Sequence, residues 1–183
     1  MKALFIKYRL VIRFIITFLF AYLILSMGYK FYLELSEGYL YYPDYLTYIV
    51  GEQSKDLLQV LGFQVNMLPH PNEPSIKVII NNQYVSRIIE GCNGFSVIIL
   101  FVSFIAAFAS DFKTTTLYAF IGSVFIYVIN LFRIVLINIG LYHYPKYQSL
   151  LHEIIFPIII YGMMFLLWMI WVNRFSKMKD NHA

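Results

Sequence analysis

Three residues that lie far apart in the chain have side chains suited to acyl-transfer chemistry. Cys92 is the only cysteine among 183 residues and stands in Glu-Gly-Cys-Asn-Gly, just before a long apolar run. Arg133 interrupts another apolar run, and His152 precedes a third. A thiol can act as a nucleophile, a histidine as its general base, and an arginine as a stabiliser of the developing oxyanion. The remaining sequence must show whether these residues share one face of the protein.

The composition predicts that a lipid bilayer surrounds much of the chain. Hydrophobic residues make up 60% of it and charged residues 13%, against about 25% charged residues in soluble domains. Four apolar stretches, at residues 10–29, 94–110, 115–142 and 154–173, approach or exceed the ~20 residues that a membrane-spanning helix needs. The first lacks a small-residue cleavage site and is predicted to be an uncleaved anchor. The predicted fold is all-α: an integral membrane bundle of four transmembrane helices.

Basic residues near the ends of these stretches predict the orientation. Short cytoplasmic segments are enriched in Lys and Arg, and eight of the 14 Lys and Arg residues fall on one side if the chain crosses four times. These eight are Lys2, Lys7, Arg9, Arg13, Lys113, Arg174, Lys177 and Lys179. Both termini are therefore expected in the cytoplasm, and Cys92 and His152 at the outer face of a bacterial cytoplasmic membrane.

This layout divides the chain into four predicted segments. They are a cytoplasmic tail with the first transmembrane helix (1–29), an extracytoplasmic region (30–91), a three-helix catalytic membrane core (92–173) and a basic cytoplasmic tail (174–183). Because Arg133 lies within the third apolar stretch, it falls inside the predicted catalytic core.

The extracytoplasmic region carries signals for both helix and strand. Residues 43–63 include several apolar residues with charged residues between them, a pattern that predicts one or two amphipathic helices at the membrane surface. Pro43 suits the first turn of such a helix and Gly62 its C-terminal cap. After the proline-rich stretch 69–74, two β-rich runs flank Asn81-Asn82 and predict a small β-hairpin.

Cys92 is open to two interpretations. A lone cysteine commonly acts as a small hydrophobic residue at the end of a helix. However, Cys92 is predicted on the outer face, where unpaired thiols risk oxidation, and near a helix N-terminus, where the dipole favours a thiolate. Gly91 and Gly94 would let a substrate backbone approach closely. Asn93 and Gly94 are therefore candidate supporting or substrate-binding residues.

Arg133 is the strongest single indication of function, since an arginine within a membrane span costs several kcal/mol unless it is paired or hydrated. The expected exit from the span near Tyr142 is ~13 Å away. An arginine that snorkels or bonds to a carbonyl is the structural alternative. Asn130 precedes it by three residues and either orients the guanidinium or makes an ordinary inter-helix hydrogen bond. At 100° per residue, a polar stripe occupies a sector of roughly 140°, formed by Ser123, Tyr127, Asn130, Arg133 and Asn138.

His152 opens the fourth apolar stretch on the predicted outer side. An interfacial histidine without a catalytic role is the alternative interpretation. If a histidine acts with Cys92, the predicted topology excludes His182 and leaves His70, His143 and His152 as candidates.

The segments EGCNGFSVIILFVSFIAAF, NLFRIVLIN and LLHEIIFP together resemble the exosortase/archaeosortase family of integral membrane proteins. In that family a C-x-G motif starts one helix, an N-x-x-R motif lies in a later span, and a histidine precedes another span. These motifs correspond to Cys92 with Gly94, Asn130 with Arg133, and His152.

This resemblance covers about residues 40–173. It implies a membrane cysteine transpeptidase or protease, similar in chemistry to sortases but unrelated in fold. It also implies substrates that are exported proteins ending in a recognition motif, a hydrophobic helix and a basic tail. Typical members have more spans, so the chain looks like a short branch of the family.

Two other classes of protein fit the same sequence. A non-catalytic accessory or assembly factor would tolerate replacement of Cys92. A small transporter subunit would need Arg133 as a substrate or ion contact but not Cys92 or His152. No cofactor or metal is expected, since the sequence contains no H-E-x-x-H motif and no close cysteine–histidine spacing. No nucleic-acid partner is expected either, because membrane orientation accounts for the basic residues.

Overall fold

The computed structural model describes residues 8–36 and 42–175, apart from the side chains of His152 and Phe156. The elements in chain order are α1 (Arg9–Ser36), α2 (Tyr45–Val60), β1 (Val65–Pro69), β2 (Ser75–Ile80), β3 (Gln83–Ile89), α3 (Phe95–Ala107), α4 (Phe112–His143) and α5 (Phe156–Arg174). A 3₁₀ turn precedes α3 and a π-helical turn precedes α5. Several residues of the sequence-based predictions lie outside the described residues, namely Lys2, Lys7, Lys177, Lys179 and His182.

Among the described residues, three helices are long and apolar enough to cross a membrane: α1, α4 and the segment Glu153–Arg174 that contains α5. The predicted second span is shorter. Helix α3 has 13 residues, or ~20 Å at 1.5 Å per residue, against ~30 Å of hydrocarbon. It is short because the chain leaves the helix at Phe108, its C-cap. The structure thus gives three helices of spanning length and one shorter apolar helix, where four full spans were predicted.

The four apolar helices run antiparallel to their neighbours. The ring of Phe14, early in α1, lies 4.3 Å from that of Phe108 after α3. At the other end, the ring of Tyr29 lies 5.4 Å from that of Phe95. The start of α1 therefore lies beside the end of α3. Aromatic pairs of this kind add about 0.5–1.5 kcal/mol each beyond the burial of their area.

Helix α4 packs against both α3 and α5. Near its start, the Tyr118 hydroxyl donates to the carbonyl of Leu167 at 2.8 Å, and near its end Gly140 packs against Leu151. A close approach of Gly122 to the ring of Phe101 joins α4 to α3. All three helices contribute to one hydrophobic cluster, formed by Phe101, Ile105, Ile126, Met164 and Trp171.

A three-stranded antiparallel sheet in the order β1-β2-β3 lies between α2 and α3 in the chain. The predicted hairpin is present as β2 and β3, which turn at Asn81 and Asn82. Both asparagines have positive φ, 48° and 66°, a conformation that Asn adopts more readily than most residues. Strand β1 was not predicted, and it pairs with the other edge of β2. Strand β3 is therefore an edge strand of the described sheet.

Helix α2 forms within the predicted amphipathic segment, but its apolar face is not free for the membrane surface. Val50 and Leu58 are buried in a core cluster with residues of all three strands. Asp44 caps the helix by accepting from the backbone N–H of Thr47, so Pro43 precedes the cap rather than starting the first turn. Gly62, with φ of 92°, follows the C-cap, as its position predicts.

Helix α4 contains 32 residues, or ~48 Å, which is longer than the hydrocarbon is thick. One face of its last third is covered by protein, since Ile134 and Val135 join the core cluster of α2 and the sheet. The apolar pattern that predicted a span as far as residue 142 therefore reflects packing against this outer layer. Arg133 lies where the apolar bundle meets the layer formed by α2 and the sheet.

Candidate active site

Cys92 ends the 3₁₀ turn Glu90–Cys92, which follows directly on β3. Its side chain is half-buried and packs against the core cluster of α2 and the sheet. The N-cap of α3 is Gly94, not Cys92. The thiol is thus held just before the helix, at the junction of the sheet and the bundle.

Asn130 links Cys92 to Arg133. Its side chain is fully buried. Its amide nitrogen donates to the backbone carbonyl of Cys92 at 2.9 Å, and its amide oxygen accepts from Nη1 of Arg133 at 3.0 Å. One amide therefore contacts both the 3₁₀ turn that carries Cys92 and the guanidinium of Arg133.

Arg133 is half-buried, and only part of its hydrogen-bonding capacity is used within the protein. Its Nε is buried and has no hydrogen-bond partner in the described part of the chain. A buried donor left in this way costs about 1–3 kcal/mol. The guanidinium is therefore held on one side by Asn130, while its buried Nε has no partner among the described residues.

Cys92 and Arg133 line the same cavity, whose volume is about 940 Å³. The cavity has three walls. One is β3, a second is the last third of α4, and the third is the segment that follows α4. Besides Cys92 and Arg133, the lining residues are Tyr84, Val85, Ser86, Arg87, Ile88, Ile89, Ile134, Ile137, Asn138, Leu141, Pro145, Lys146, Gln148, Ser149 and Glu153. Both polar and apolar side chains contribute to this lining.

His152 lies in the π-helical turn Leu150–Ile155 that leads into α5. Its side chain is outside the described part of the structure, but Ser149 and Glu153 on either side of it in the chain both line the cavity. The turn that carries residue 152 therefore borders the cavity through Glu153. His143, the competing candidate, does not line the cavity, and its ring lies 5.0 Å from that of Tyr142.

Asn93 points away from the cavity and ties helices together. Its side chain is 1% exposed. Its amide nitrogen donates to the hydroxyls of Tyr29 at 2.7 Å and Thr47 at 3.2 Å, and its oxygen accepts from the N–H of Phe95 at 2.9 Å. These contacts join α1, α2 and α3.

The wall formed by β3 was not predicted from the sequence. The hydroxyl of Ser86 in this strand donates to the Asn138 side chain of α4 at 2.6 Å, which holds the strand against the helix. Asn138 belongs to the predicted polar stripe, but Ser86 was not a candidate residue. The sequence feature that could have indicated this wall is the position of β3 in the chain, since the strand ends three residues before Cys92.

We expect Gly94→Ala to loosen the link between Cys92 and Arg133. Gly94 has φ of +81°, and a Cβ there would lie 3.0 Å from Cγ of Asn130. The backbone conformation alone costs an L-residue about 1–2 kcal/mol, and displacement of Asn130 would move the guanidinium. We expect a lower melting temperature in detergent and up to about 10²-fold less activity.

Gly91→Ala is the matched control for this substitution. It lies in the same turn, and a Cβ there would meet nothing closer than Cδ1 of Ile89 at 4.0 Å. Equal melting temperatures and activities for the two variants would contradict the role assigned to Gly94.

The fold and the cavity define a class of protein: a multi-pass membrane protein with a thiol and a guanidinium in one cavity. Residues 3–173 match the family model described as Transmembrane exosortase (Exosortase_EpsH). Because the match covers nearly the whole chain, this protein belongs to the transmembrane exosortase family, which confirms the family predicted from the motifs. No curated protein and no solved structure matches the chain.

Proposed function

We propose that the chain is a membrane cysteine peptidase or transpeptidase that cuts exported proteins near a C-terminal hydrophobic helix. The observation that carries this proposal is that Cys92 and Arg133 line the same cavity. Asn130 links the two residues, because its amide bonds to the backbone carbonyl of Cys92 and to the guanidinium of Arg133. Membership of the exosortase family supports the same class of reaction.

In the proposed mechanism, the Cys92 thiolate attacks a substrate carbonyl after His152 accepts the thiol proton. The carbonyl electrons move to oxygen, and the guanidinium of Arg133 stabilises this oxyanion by hydrogen bonding. The tetrahedral intermediate collapses, the C–N bond breaks, and His152 returns its proton to the leaving amine. The product is a thioester between Cys92 and the N-terminal part of the substrate. An amine resolves it by transpeptidation, or water by hydrolysis.

The distribution of charge supports an orientation with the cavity outside the cytoplasm. Because neighbouring helices are antiparallel, the starts of α1 and α4 and the ends of α3 and α5 lie at one end of the bundle, away from Cys92. The described basic residues at that end are Arg9, Arg13, Lys113 and Arg174. Enrichment in Lys and Arg marks the cytoplasmic side, so we assign the opposite end to the outer face of a bacterial cytoplasmic membrane.

The proposed substrates are exported proteins with a C-terminal hydrophobic helix and a basic tail. Such a helix would stop in the bilayer with its tail on the cytoplasmic side. The residues just before it would then lie at the outer surface, at the level of Cys92. This geometry favours an enzyme over the two alternative classes, because neither an accessory factor nor a transporter subunit needs a thiol in the cavity that holds Arg133.

The proposal is tested by comparing the C-termini of exported proteins in cells with and without this chain, using mass spectrometry of membrane fractions. Proteins that end in a hydrophobic helix should keep that helix only in cells that lack the chain. Exported proteins without such a helix are the control and should be identical in both strains. Identical termini for all exported proteins would overturn the proposal and favour an accessory or transport role.

We expect His152→Ala to reduce processing by about 10²–10⁴-fold, the usual contribution of a general acid–base residue. His143→Ala is the matched control, since His143 lies at the end of α4 and does not line the cavity. The measurement is the rate at which processed substrate appears in a pulse–chase experiment. Loss of processing in His143→Ala with retention in His152→Ala would reverse the assignment of the base.

A further inference from the structure

We propose that the substrate segment to be cut binds in an extended conformation as an added β-strand along the free edge of β3. This proposal rests on the proposed function and specifies how the substrate is held. Strand addition of this kind uses main-chain hydrogen bonds for affinity and alternate side chains for selectivity.

The first observation is the run of residues that lines the cavity. All six residues from 84 to 89 of β3 contribute to its lining. Successive side chains of a strand point to opposite faces of the sheet. A cavity that touches every residue in the run therefore extends along the edge of the strand rather than over one face. The described sheet has the order β1-β2-β3, so this edge has no neighbouring strand.

The second observation is the continuity between this edge and the proposed nucleophile. Strand β3 ends at Ile89, and the 3₁₀ turn that follows it ends at Cys92. Residues 84–89 extend over ~17 Å at 3.3 Å per residue. A peptide of about six residues paired along this length would deliver one of its carbonyls to the thiol.

The third observation concerns the backbone groups of β3 that point away from β2. Ile80 and Gln83 flank a two-residue turn and so form a hydrogen-bonded pair. From there, hydrogen-bonded and non-hydrogen-bonded pairs alternate along the two strands. Tyr84 is opposite Ile79, while Val85 is the extra residue of a bulge. Beyond the bulge, the outward-facing N–H and C=O groups belong to Arg87 and Ile89. These groups offer the hydrogen bonds that an added strand requires.

A proline at residue 87 tests the proposal because it removes an outward-facing N–H without breaking the ladder to β2. We expect Arg87→Pro to reduce processing by about tenfold or more, which corresponds to loss of at least one backbone hydrogen bond. The control is Arg87→Ala, which keeps the N–H but loses the ion pair with Glu73. Its rate measures what the side chain contributes, and Arg87→Pro is expected to process substrates about tenfold or more slowly than Arg87→Ala. Equal rates for the two variants would overturn the proposal.

Photo-crosslinking tests the same geometry without a proline. A photoreactive residue is placed at 87 or at 89 in the Cys92→Ala protein, and the adducts to exported proteins that this variant leaves uncut are mapped by mass spectrometry. Both positions have exposed side chains. Strand pairing predicts that moving the probe from 87 to 89 shifts the crosslinked substrate residue by two. An unchanged or scattered pattern would overturn strand addition even if the proline variant failed to fold.

Processing by Cys92→Ala and by the two Arg87 variants distinguishes a wrong proposed function from a wrong mode of substrate binding. If Cys92→Ala processes substrates normally, the proposed function is wrong. If Cys92→Ala blocks processing but Arg87→Pro and Arg87→Ala behave alike, only strand addition is wrong.

Discussion

Replacing Cys92 with alanine is expected to lower processing by about 10⁴-fold or more, as removal of a nucleophile does in hydrolases. The chain has no second cysteine that could substitute for it. The fold should survive the change, because Asn130 bonds to the backbone carbonyl of Cys92 and not to its thiol. Alanine keeps that carbonyl, so the position of Arg133 should be preserved.

The measurement for this variant is the rate of substrate processing in membranes, beside its melting temperature and amount. Ser96→Ala is the control, since Ser96 lies on the exposed side of α3 close to the same turn. A stable Cys92→Ala protein that processes substrates as fast as Ser96→Ala would exclude Cys92 as the nucleophile. Retained processing would indicate that Cys92 serves only to pack the turn that precedes α3.

Arg133→Met is expected to lower processing by about 10²–10³-fold, the usual effect of removing one donor from an oxyanion site. It should also destabilise the protein by about 1–3 kcal/mol, because the buried oxygen of Asn130 loses its hydrogen-bond partner. Arg133→Lys should fall between wild type and Arg133→Met. A lysine keeps the charge but lacks the planar fork that can serve Asn130 and a substrate together.

The control for Arg133 is Arg174→Met, which removes an exposed cation at the opposite end of the bundle. Processing rates and melting temperatures of all three variants are measured in the same membranes. If Arg133→Met lost stability but processed substrates at the rate of Arg174→Met, the guanidinium would be structural. If Arg133 were essential and Cys92 dispensable, a transport role would fit better than an enzyme.

The long apolar helices could be predicted from the sequence, but what surrounds them could not. Hydropathy identifies Ile134 and Val135 as apolar without showing whether lipid or protein covers them. The structure places both against α2 and the sheet, because packing between segments far apart in the chain determines their neighbours. The same limit explains why the apolar face of α2 was assigned to the membrane surface.

Strand β1 was missed for a local reason. Its sequence, VNMLP, is short and ends in Pro69, and a proline lowers the expectation of a strand unless the strand lies at an edge. Pairing with β2 along all five residues defines it. Such pairing depends on the fold of the whole outer layer, so a pattern of five residues cannot predict it.

The candidate site was predicted in part. The spacing of Asn130 and Arg133 on one helix predicts contact between their side chains, and the structure has it at 3.0 Å. The bond from Asn130 to the carbonyl of Cys92 could not be predicted, since it depends on how α3 and α4 pack. The catalytic roles of Cys92, Arg133 and His152 remain predictions.

In the proposed mechanism, Cys92 forms a thioester with the substrate. Mass spectrometry of the Cys92 peptide from acid-quenched membranes tests it most directly. We expect an adduct whose mass matches the new C-terminus of a cut substrate, which hydroxylamine releases and which Cys92→Ala lacks. Substrates that are cut at the normal rate while Cys92 stays unmodified at every quench time would contradict the claim.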